Sequence, residues 1–474
     1  MNDSERVVIV GGGLAGLAAA AALGDRGVPV TLLESRPRLG GRASSFQDAA
    51  TGQWIDNCQH VSMGCCTNFR HFCERTGLRE FFRTEPVLHF LAPDGRVNRF
   101  AAGPWPAPLH LAGAFARLSY LSWNDKRKLA QGLKQLARTT GPDTGQSFAD
   151  WLQHAGQTRA AIERFWTVVL VSALSESLDR ISVSHARKVF VDAFLANRDG
   201  WRVEIPTVSL EELYGGRLTK WLTDRGVEIR LLTAAESLDV DADRVTGVRL
   251  KTGDVVTGAD FIVAVPYHRV LPLLPEALRE HPALAGLSRL ESAPISSVHL
   301  WFDRAVMPWP HAVFVQGLSQ WAFNRTMLAG RTPSPGEPWY VQVVISASRE
   351  VTERDSDAVR EQVLSELVAV WPAVRSARLV SSRLVTEHRA VFSVTPGVDA
   401  LRPAQQSPLP NLQLAGDYTQ TGWPGTMEGA VRSGYLAAEN VLRRRGVSAR
   451  LLQPDLPVAR LSRRVFGLKV PRTK

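Results

Sequence analysis

The feature that most constrains the fold of this chain is a glycine-rich turn between an apolar strand and an alanine-rich helix. Residues 6–10 read Arg-Val-Val-Ile-Val, a β-branched run typical of a buried parallel strand. The pattern GxGxxG follows at once, formed by Gly11, Gly13 and Gly16. A helical segment through residue 23 leads to a second apolar strand over residues 28–33, which ends at Glu34. This order of elements predicts an α/β fold built on a parallel sheet.

Each residue of this unit has a role in binding a dinucleotide, an interpretation that explains more of the pattern than an ordinary tight turn does. Gly11 permits the turn, Gly13 lets the backbone approach a pyrophosphate, and Gly16 lets the helix pack closely on the strand. The first helical turn, which contains Leu14 and Ala15, offers N–H groups to the phosphates. The unit therefore predicts a Rossmann-type domain.

The acid at the end of the second strand narrows the choice of dinucleotide. Glu34 lies 18 residues beyond Gly16, and Ser35 follows it. A carboxylate at this place accepts hydrogen bonds from the two hydroxyls of a ribose, so the site favours FAD or NAD over NADP.

A second glycine turn follows this acid. Gly40, Gly41 and Arg42 are interpreted as backbone and guanidinium groups beside the cofactor phosphates; the alternative is a surface loop with solvated arginines. NAD dehydrogenases do not usually carry this element. In it the sequence resembles the flavoproteins of the amine oxidase and carotenoid desaturase superfamily, which implies FAD.

The C-terminal part of the chain predicts a second contact with the flavin. Residues 411–417 have the pattern of a strand, a glycine turn at Gly416 and an acid, Asp417, placed for the ribityl chain or the pyrophosphate. Thr426 and Met427 then open a helix that runs through residue 442, and its N–H groups would stabilise negative charge on a reduced flavin. The alternative is a Pro/Gly loop that begins an ordinary surface helix. No cysteine lies in this segment, so we expect the FAD to be noncovalent.

Two strands in the middle of the chain complete the predicted nucleotide domain, over residues 226–231 and 261–266, with the backbone near Ala235 beside the adenine. The domain is then discontinuous, with an α+β substrate domain inserted in it. The predicted FAD-binding domain comprises residues 1–85, 206–280 and 395–445; the substrate domain comprises 86–205 and 281–394; a basic tail covers 446–474.

Composition restricts the partners. The net charge of +10 indicates an anionic partner, and because no nucleic-acid module is recognised we expect an anionic membrane surface. The four cysteines match neither zinc-site spacing nor a disulfide framework, and no metal site is predicted. A polar start that leads directly into a strand favours a chain without a signal peptide, located in the cytoplasm and peripheral on the inner face of the membrane. Basic and apolar residues over 109–136 and in the tail would supply the membrane contact.

The most specific stretch covers residues 55–68 and contains Asp56-Asn57-Cys58-Gln59-His60. It resembles the squalene-associated FAD-dependent desaturases, the hydroxysqualene dehydroxylases of hopanoid pathways, whose members carry D-N-G-Q-H there. Cys58 replaces the usual glycine, which puts the local turn geometry in question. Further matches lie at residues 165–174, 387–392, 401–403, 414–417 and 428–434.

This resemblance implies that a long isoprenoid alcohol loses its hydroxyl and receives hydride from reduced flavin, giving squalene; the electron donor is not specified by the sequence. His60 is the candidate proton donor because an ordinary histidine titrates near neutral pH, with a packing role as the alternative. Glu387, His388 and Arg389 are second candidates. The rival functions are a carotenoid-type desaturase, a flavin amine oxidase, and a prenyl-binding carrier on the same fold.

Overall fold

The computed structural model of the protein describes residues 5–49, 51–139 and 145–468. Its strands are β1 Val7–Val10, β2 Val30–Leu33, β3 Ser45–Gln47, β4 Trp54–Asp56, β5 Ser62–Met63, β6 Phe82–Glu85, β7 Leu88–Leu91, β8 Val97–Phe100, β9 Val203–Pro206, β10 Val227–Arg230, β11 Ala235–Asp241, β12 Arg244–Leu250, β13 Val255–Thr257, β14 Asp260–Val263, β15 Ser292–Phe302, β16 His311–Phe314, β17 Trp321–Asn324, β18 Trp339–Ser346, β19 Leu379–Phe392 and β20 Leu412–Leu414.

Its α-helices are α1 Leu14–Gly24, α2 Thr67–Arg75, α3 Ala112–Ala116, α4 Trp123–Arg138, α5 Phe148–His154, α6 Arg159–Ala161, α7 Thr167–Leu174, α8 Val183–Lys188, α9 Thr219–Thr223, α10 Tyr267–Leu273, α11 Glu276–Arg279, α12 Arg325–Leu328, α13 Ser356–Val370, α14 Ala373–Ser376, α15 Met427–Arg444 and α16 Arg460–Phe466. Turns of π-helix over Ile162–Trp166, Val189–Leu195 and Glu211–Leu218 join or extend several of these helices.

The central element is a five-stranded parallel sheet in the order β10-β2-β1-β14-β20. Every residue of β1, β2, β14 and β20 is buried, as expected where helices cover both faces of a parallel sheet. The strands come from three separate parts of the chain, because long insertions lie between β2 and β10 and between β14 and β20. The fold class predicted from the sequence, a discontinuous Rossmann-type domain with an α+β insertion, is confirmed.

The first and last long helices pack directly on each other beside this sheet. A Cβ atom placed on Gly434 of α15 would lie 2.2 Å from the carbonyl oxygen of Ala15 in α1. The small alanine side chains of α1 permit the same close approach from its side of the contact, and the whole helix is buried. The N-terminal and C-terminal parts of the chain therefore form one layer.

A seven-stranded mixed sheet, in the order β19-β15-β18-β17-β16-β7-β8, forms the second large layer. Its longest strands, β15 and β19, pair antiparallel, and β15 pairs antiparallel with β18 on its other edge. The helices from α3 to α8 form a cap whose apolar residues belong to the largest core cluster, and α3 and α7 contact strands β8 and β18 of this sheet.

The segment predicted as a basic tail packs on the body of the protein over its described length. Gln453 and Asn68 exchange two hydrogen bonds, Ala459 donates its N–H to the carbonyl of Ala196, and α16 buries Phe466. Phe466 and Leu468 of this basic segment fit an apolar groove formed by the cap helices. Residues 469–474, part of the same prediction, lie outside the described residues.

Among the helices over residues 5–49, 51–139 and 145–468, none combines the length and apolar character needed to cross a membrane.

Candidate active site

A cavity of about 1380 Å³ begins at the carboxyl ends of the parallel strands and continues beneath the helical cap. Ligands of doubly wound sheets bind at this edge, so the cavity lies where the fold predicts a cofactor. Its volume exceeds the roughly 300–1,000 Å³ of a site for one drug-sized molecule. The cavity can therefore hold a dinucleotide together with part of a second ligand.

Nearly all residues that the sequence assigned to the cofactor line this one cavity. They are Gly11, Gly13, Leu14, Ala15, Glu34, Ser35, Gly40, Gly41, Arg42, Ala235, Gly416, Asp417, Thr426 and Met427. Gly16 does not line the cavity, because it lies where α1 packs against the glycine turn after β1. A Cβ on Gly16 would lie 2.0 Å from the carbonyl oxygen of Gly11.

Gly13 differs from its neighbours in the motif because the protein itself does not require a glycine there. A Cβ on Gly13 would meet nothing closer than the Cα of Gly41 at 4.0 Å, and its φ of −77° suits any residue. On Gly11, by contrast, a Cβ would lie 2.5 Å from the carbonyl oxygen of Ala264. The open space at Gly13 has the form of a pyrophosphate cradle at a helix N-terminus.

Glu34 is held by the protein and retains capacity for a ligand. Oε2 accepts the Gly12 N–H at 2.7 Å, and Oε1 accepts from Ser35 Oγ at 3.1 Å and from the Arg36 N–H at 2.8 Å. A carboxylate has about four lone-pair positions, so one remains after these three donors. The buried carboxylate thus fits its predicted role toward a ribose hydroxyl.

Arg42 and Asp417, which the sequence placed separately beside the cofactor, form an ion pair. Arg42 Nη2 donates to Asp417 Oδ1 at 2.6 Å, and Nη1 donates to the carbonyl of Ala390 at 2.9 Å. Burial opposes the charge of the guanidinium, but Asp417 outweighs it and raises the pKa of Arg42. This pair joins the second glycine turn to the C-terminal turn across the cavity wall.

Arg402 supports the site structurally, although it was not among the site residues predicted from the sequence. Its buried guanidinium donates to the backbone carbonyls of the turn after β20, those of Asp417, Tyr418, Thr419 and Trp423. Arg402 also donates to Asp399 Oδ1 at 2.8 Å and to Thr421 Oγ1 at 3.2 Å, whereas its contacts with backbone carbonyls leave no complementary signal in the sequence.

The N-terminus of α15 completes the cofactor region. Thr426 is the N-cap, and its Oγ1 accepts the Gly429 N–H at 3.1 Å. Met427 begins the helix and lines the cavity. The positive end of the helix dipole therefore points to the part of the cavity where the sequence predicts a flavin.

Beyond the cofactor region, the cavity wall is apolar and aromatic. The cap helices contribute Phe115, Leu133, Phe165, Val168, Phe190 and Phe194, and the mixed sheet contributes Trp321 and Phe323. The acid of this helical wall, Asp192, is paired with Lys188 at 2.7 Å. Such a surface stabilises a hydrocarbon and offers little to a polar substrate.

His60 lines the cavity, and its surroundings favour the neutral form of its ring. Its Nδ1 lies 3.0 Å from the carbonyl of Cys58, so the ring donates there as the Nδ1–H tautomer. Burial lowers the pKa of His60 below its ordinary value, although the Cys58 carbonyl opposes the shift. A lowered pKa favours the neutral imidazole at neutral pH, and the role of His60 as a proton donor stays a prediction.

The substituted position Cys58 does not distort this turn. Its backbone is not in the left-handed region that would favour glycine, and Asn57 Oδ1 accepts its N–H at 2.9 Å. Burial raises the pKa of the Cys58 thiol to about 12. The side chain is thus an uncharged, packed group, and all four cysteines have free thiols.

A residue from the inserted region holds the segment that carries His60. Arg325, at the start of α12, donates from Nη1 to Gln59 Oε1 at 2.5 Å and from Nη2 to Asp56 Oδ2 at 3.3 Å. Gln59 Nε2 in turn donates to the His60 carbonyl at 3.1 Å. Arg325 lies 266 residues from Gln59 in the chain, so sequence reasoning had no signal for this contact.

The second candidates for proton transfer, Glu387, His388 and Arg389, also line the cavity from β19. The Arg389 N–H donates to Glu387 Oε1 at 3.3 Å, and Glu387 contributes to the raised pKa of Arg42. They lie near the Arg42–Asp417 pair, on a different wall from the aromatic residues of the cap.

A family model described as flavin containing amine oxidoreductase matches residues 14–442. The chain belongs to this family. Its cofactor is FAD, as the sequence predicted, and the protein is an FAD-dependent oxidoreductase of the amine oxidase and carotenoid desaturase superfamily.

Curated relatives in this family include desaturases. The chain is 27% identical over 461 residues to 15-cis-phytoene desaturase of Solanum lycopersicum, covering 92% of this chain and 77% of the relative. It is 28% identical over 485 residues to a probable zeta-carotene desaturase of Synechococcus elongatus, covering 94% of this chain and 100% of the relative.

Solved structures share the fold. An oxidoreductase from Methanosarcina mazei superposes with a TM-score of 0.71 at 17% identity, over 92% of this chain and 100% of that one. Cyclohexylamine oxidase from Brevibacterium oxydans gives a TM-score of 0.69 at 17% identity, over 94% and 100%.

Proposed function

We propose that this protein is an oxidoreductase that exchanges a hydride with a long polyisoprenoid chain. The observation that carries the proposal is the continuity of the cofactor cradle with a deep apolar and aromatic chamber in a single cavity. Bound FAD supplies a centre that accepts or donates hydride. The chain's own residues exclude water from the chamber and align a hydrocarbon along it.

An amine substrate is a weaker candidate because Asp192, the acid of the helical wall, is already paired with a cation. Recognition of an organic cation uses carboxylates or an aromatic cage around the charge. Here Asp192 is neutralised by Lys188, and Trp423 already has the Lys188 Nζ at 4.3 Å from its ring centroid. A prenyl-binding carrier without a flavin is excluded by membership of the FAD-dependent family.

The first candidate reaction is desaturation of a carotenoid-type polyene, which the phytoene and zeta-carotene desaturase relatives support. In this reaction a saturated carbon–carbon bond of the substrate loses a hydride and a proton and becomes a double bond. The chamber residues need only hold the chain and exclude water, so the reaction fits an apolar wall.

The second candidate is reductive dehydroxylation of hydroxysqualene to squalene, which the Asp56–His60 segment supports. In this reaction the hydroxyl leaves with a proton as water, and the carbon receives a hydride. His60 is a titratable group on the cavity wall and is held by Cys58 on one side, with Gln59 and Arg325 behind it. Its protonated form can donate the required proton.

Two anaerobic single-turnover reactions distinguish these candidates without an added electron donor or acceptor. FAD-loaded oxidised enzyme is mixed with phytoene or zeta-carotene, and prereduced enzyme is mixed with hydroxysqualene. Loss of oxidised-flavin absorbance with formation of a new polyene supports desaturation; return of that absorbance with formation of squalene supports dehydroxylation. An enzyme that reacts with none of them but oxidises an alkylamine contradicts the proposal.

A further inference from the structure

The chamber reaches the protein surface where cap helices and α16 line it. Among the lining residues that come from α3, α4, α16 and the turn before α3, four are exposed: Leu109, Ala112, Ala130 and Val465. Leu109 belongs to the 3-10 turn before α3, Ala112 to α3, Ala130 to α4 and Val465 to α16. We call these four residues the mouth.

Helix α4 carries an exposed stripe through the mouth. Trp123, Arg127, Ala130 and Lys134 are spaced by four, three and four residues, so they lie on one face of the helix. All four are exposed, and Trp123 has 75% of its surface accessible. The opposite face, with Leu129 and Leu136, is buried.

A second aromatic side chain stands on the loop at the other side of the mouth. Trp105 is 64% exposed and Leu109 is 46% exposed. The Gly103 N–H closes this loop by donating to the His110 carbonyl at 2.7 Å, and Arg198 donates to the carbonyls of Pro104 and Trp105. The exposed indole therefore stands on a loop that these hydrogen bonds hold in place, together with the exposed Leu109.

The segments around the mouth are almost free of acids. Residues 101–139 contain six lysines and arginines, and their one acid, Asp125, is buried in a capping box with Ser122. Residues 456–468 contain Arg460, Arg463 and Arg464 and no acid. The surface that bears the mouth is therefore strongly positive.

We propose that this surface docks on an anionic phospholipid bilayer, with Trp105 and Trp123 at the level of the headgroups. Tryptophan prefers that interface, and lysine and arginine beside it bind anionic lipids. The idea that docking delivers a hydrocarbon into the chamber rests on the proposed function, whereas binding to the bilayer does not.

The structure also revises which residues make the contact. Leu111, Leu118 and Leu121, which the sequence suggested for the membrane, are buried in the core, and Arg444 and Arg445 are paired with Asp260. Leu109, Trp123 and the arginines of α16 remain from the sequence prediction, and Trp105 is added.

The test is flotation of the FAD-loaded protein, without substrate, on vesicles of phosphatidylcholine with and without phosphatidylglycerol, at low and high salt. We expect binding to the anionic vesicles that weakens with salt. Arg127→Glu with Lys134→Glu should reduce binding at least about 25-fold, because each basic contact contributes about fivefold. Trp105→Ser with Trp123→Ser should also reduce it.

The control variants carry the same kinds of substitution, arginine to glutamate and tryptophan to serine, at exposed positions away from the mouth. Arg289→Glu with Arg375→Glu alters exposed arginines on segments that do not line the cavity, and Trp54→Ser removes a tryptophan that is 50% exposed. Both controls should float like the original protein. The proposal is overturned if no form floats, if neutral vesicles bind equally well, or if the mouth variants match their controls. Association with nucleic acid or self-association in place of vesicle binding also overturns it.

Discussion

At the scale of single residues, the glycines of the N-terminal motif serve two different purposes. Gly11 and Gly16 make room for the protein's own backbone, whereas the space at Gly13 is open to the cavity. The sequence pattern assigns all three to dinucleotide binding, and only the packing separates them.

Gly13→Ala and Gly16→Ala should therefore fail in different ways. In Gly13→Ala the new methyl approaches no protein atom closer than 4.0 Å, so the apoprotein should keep its melting temperature while its affinity for FAD falls about tenfold or more. Gly16→Ala places the methyl 2.0 Å from the Gly11 carbonyl oxygen and should destabilise the apoprotein by about 1–3 kcal/mol. Thermal unfolding of apoprotein and titration with FAD separate the effects; equal losses of stability would contradict this assignment.

His60 allows a prediction about pH. Burial lowers the pKa of His60, so its protonated fraction grows only as pH falls below the ordinary value of 6.5. If His60 donates the proton, the rate of dehydroxylation should rise through that range, and His60→Gln should lower it about 100-fold and remove the rise. The FAD content should stay unchanged.

The control is His268→Gln, because burial also lowers the pKa of His268 and this histidine lines the same cavity. An unchanged pH profile in His60→Gln would leave His60 with a packing role only.

At the scale of elements, the strand and helix patterns were readable where a segment is periodic and its partners are close in the chain. The segment after α15 could not be interpreted in this way, because helix α16 is rich in arginine and shows no apolar period. In α16 the side chains of Phe466 and, just beyond it, Leu468 insert beside Val191 and Leu195, and Ser462 Oγ donates to the Leu195 carbonyl at 2.6 Å. Two apolar residues in a basic segment are too few for a periodic signal.

Phe466→Ala should loosen this helix without unfolding the rest of the protein. Loss of a buried phenylalanine costs about 3 kcal/mol, which raises the population of the undocked segment roughly 100-fold. Trypsin, which cuts after arginine, should then remove the C-terminal segment faster at Arg460, Arg463 and Arg464 under native conditions. Val465→Ala, which alters an exposed neighbour, is the control. Equal cleavage of both variants would show that α16 is not held by Phe466.

At the scale of the whole molecule, buried histidines make stability depend on pH. Burial lowers the pKa of His299 and of His311 to about 3, from an ordinary value of 6.5. Below pH 6.5 the unfolded chain takes up protons that the folded protein does not. Stability should thus fall as pH drops from 6.5 toward 3, by about 2 kcal/mol for each of these histidines at pH 5.

His311→Phe isolates one such contribution. Neither ring nitrogen of His311 has a hydrogen-bond partner among the described residues, and the ring is stacked on Trp321, so phenylalanine preserves the packing. The variant should lose less stability between pH 7 and pH 5 than the original protein, measured as the change in unfolding midpoint. His281→Phe is the exposed control. An identical pH dependence in all three proteins would contradict the assignment.

The sequence alone predicted the residues that line the cofactor half of the site, among them Gly11, Glu34, Asp417 and Thr426. These residues lie next to regular elements, and the geometry of a strand, a turn and a helix dictates their roles locally. The tertiary structure alone decided the pairing of Arg42 with Asp417, the support of the His60 segment by Arg325, and the position of the mouth. Each of these depends on contacts between segments far apart in the chain, and local pattern carries no information about which distant groups will meet.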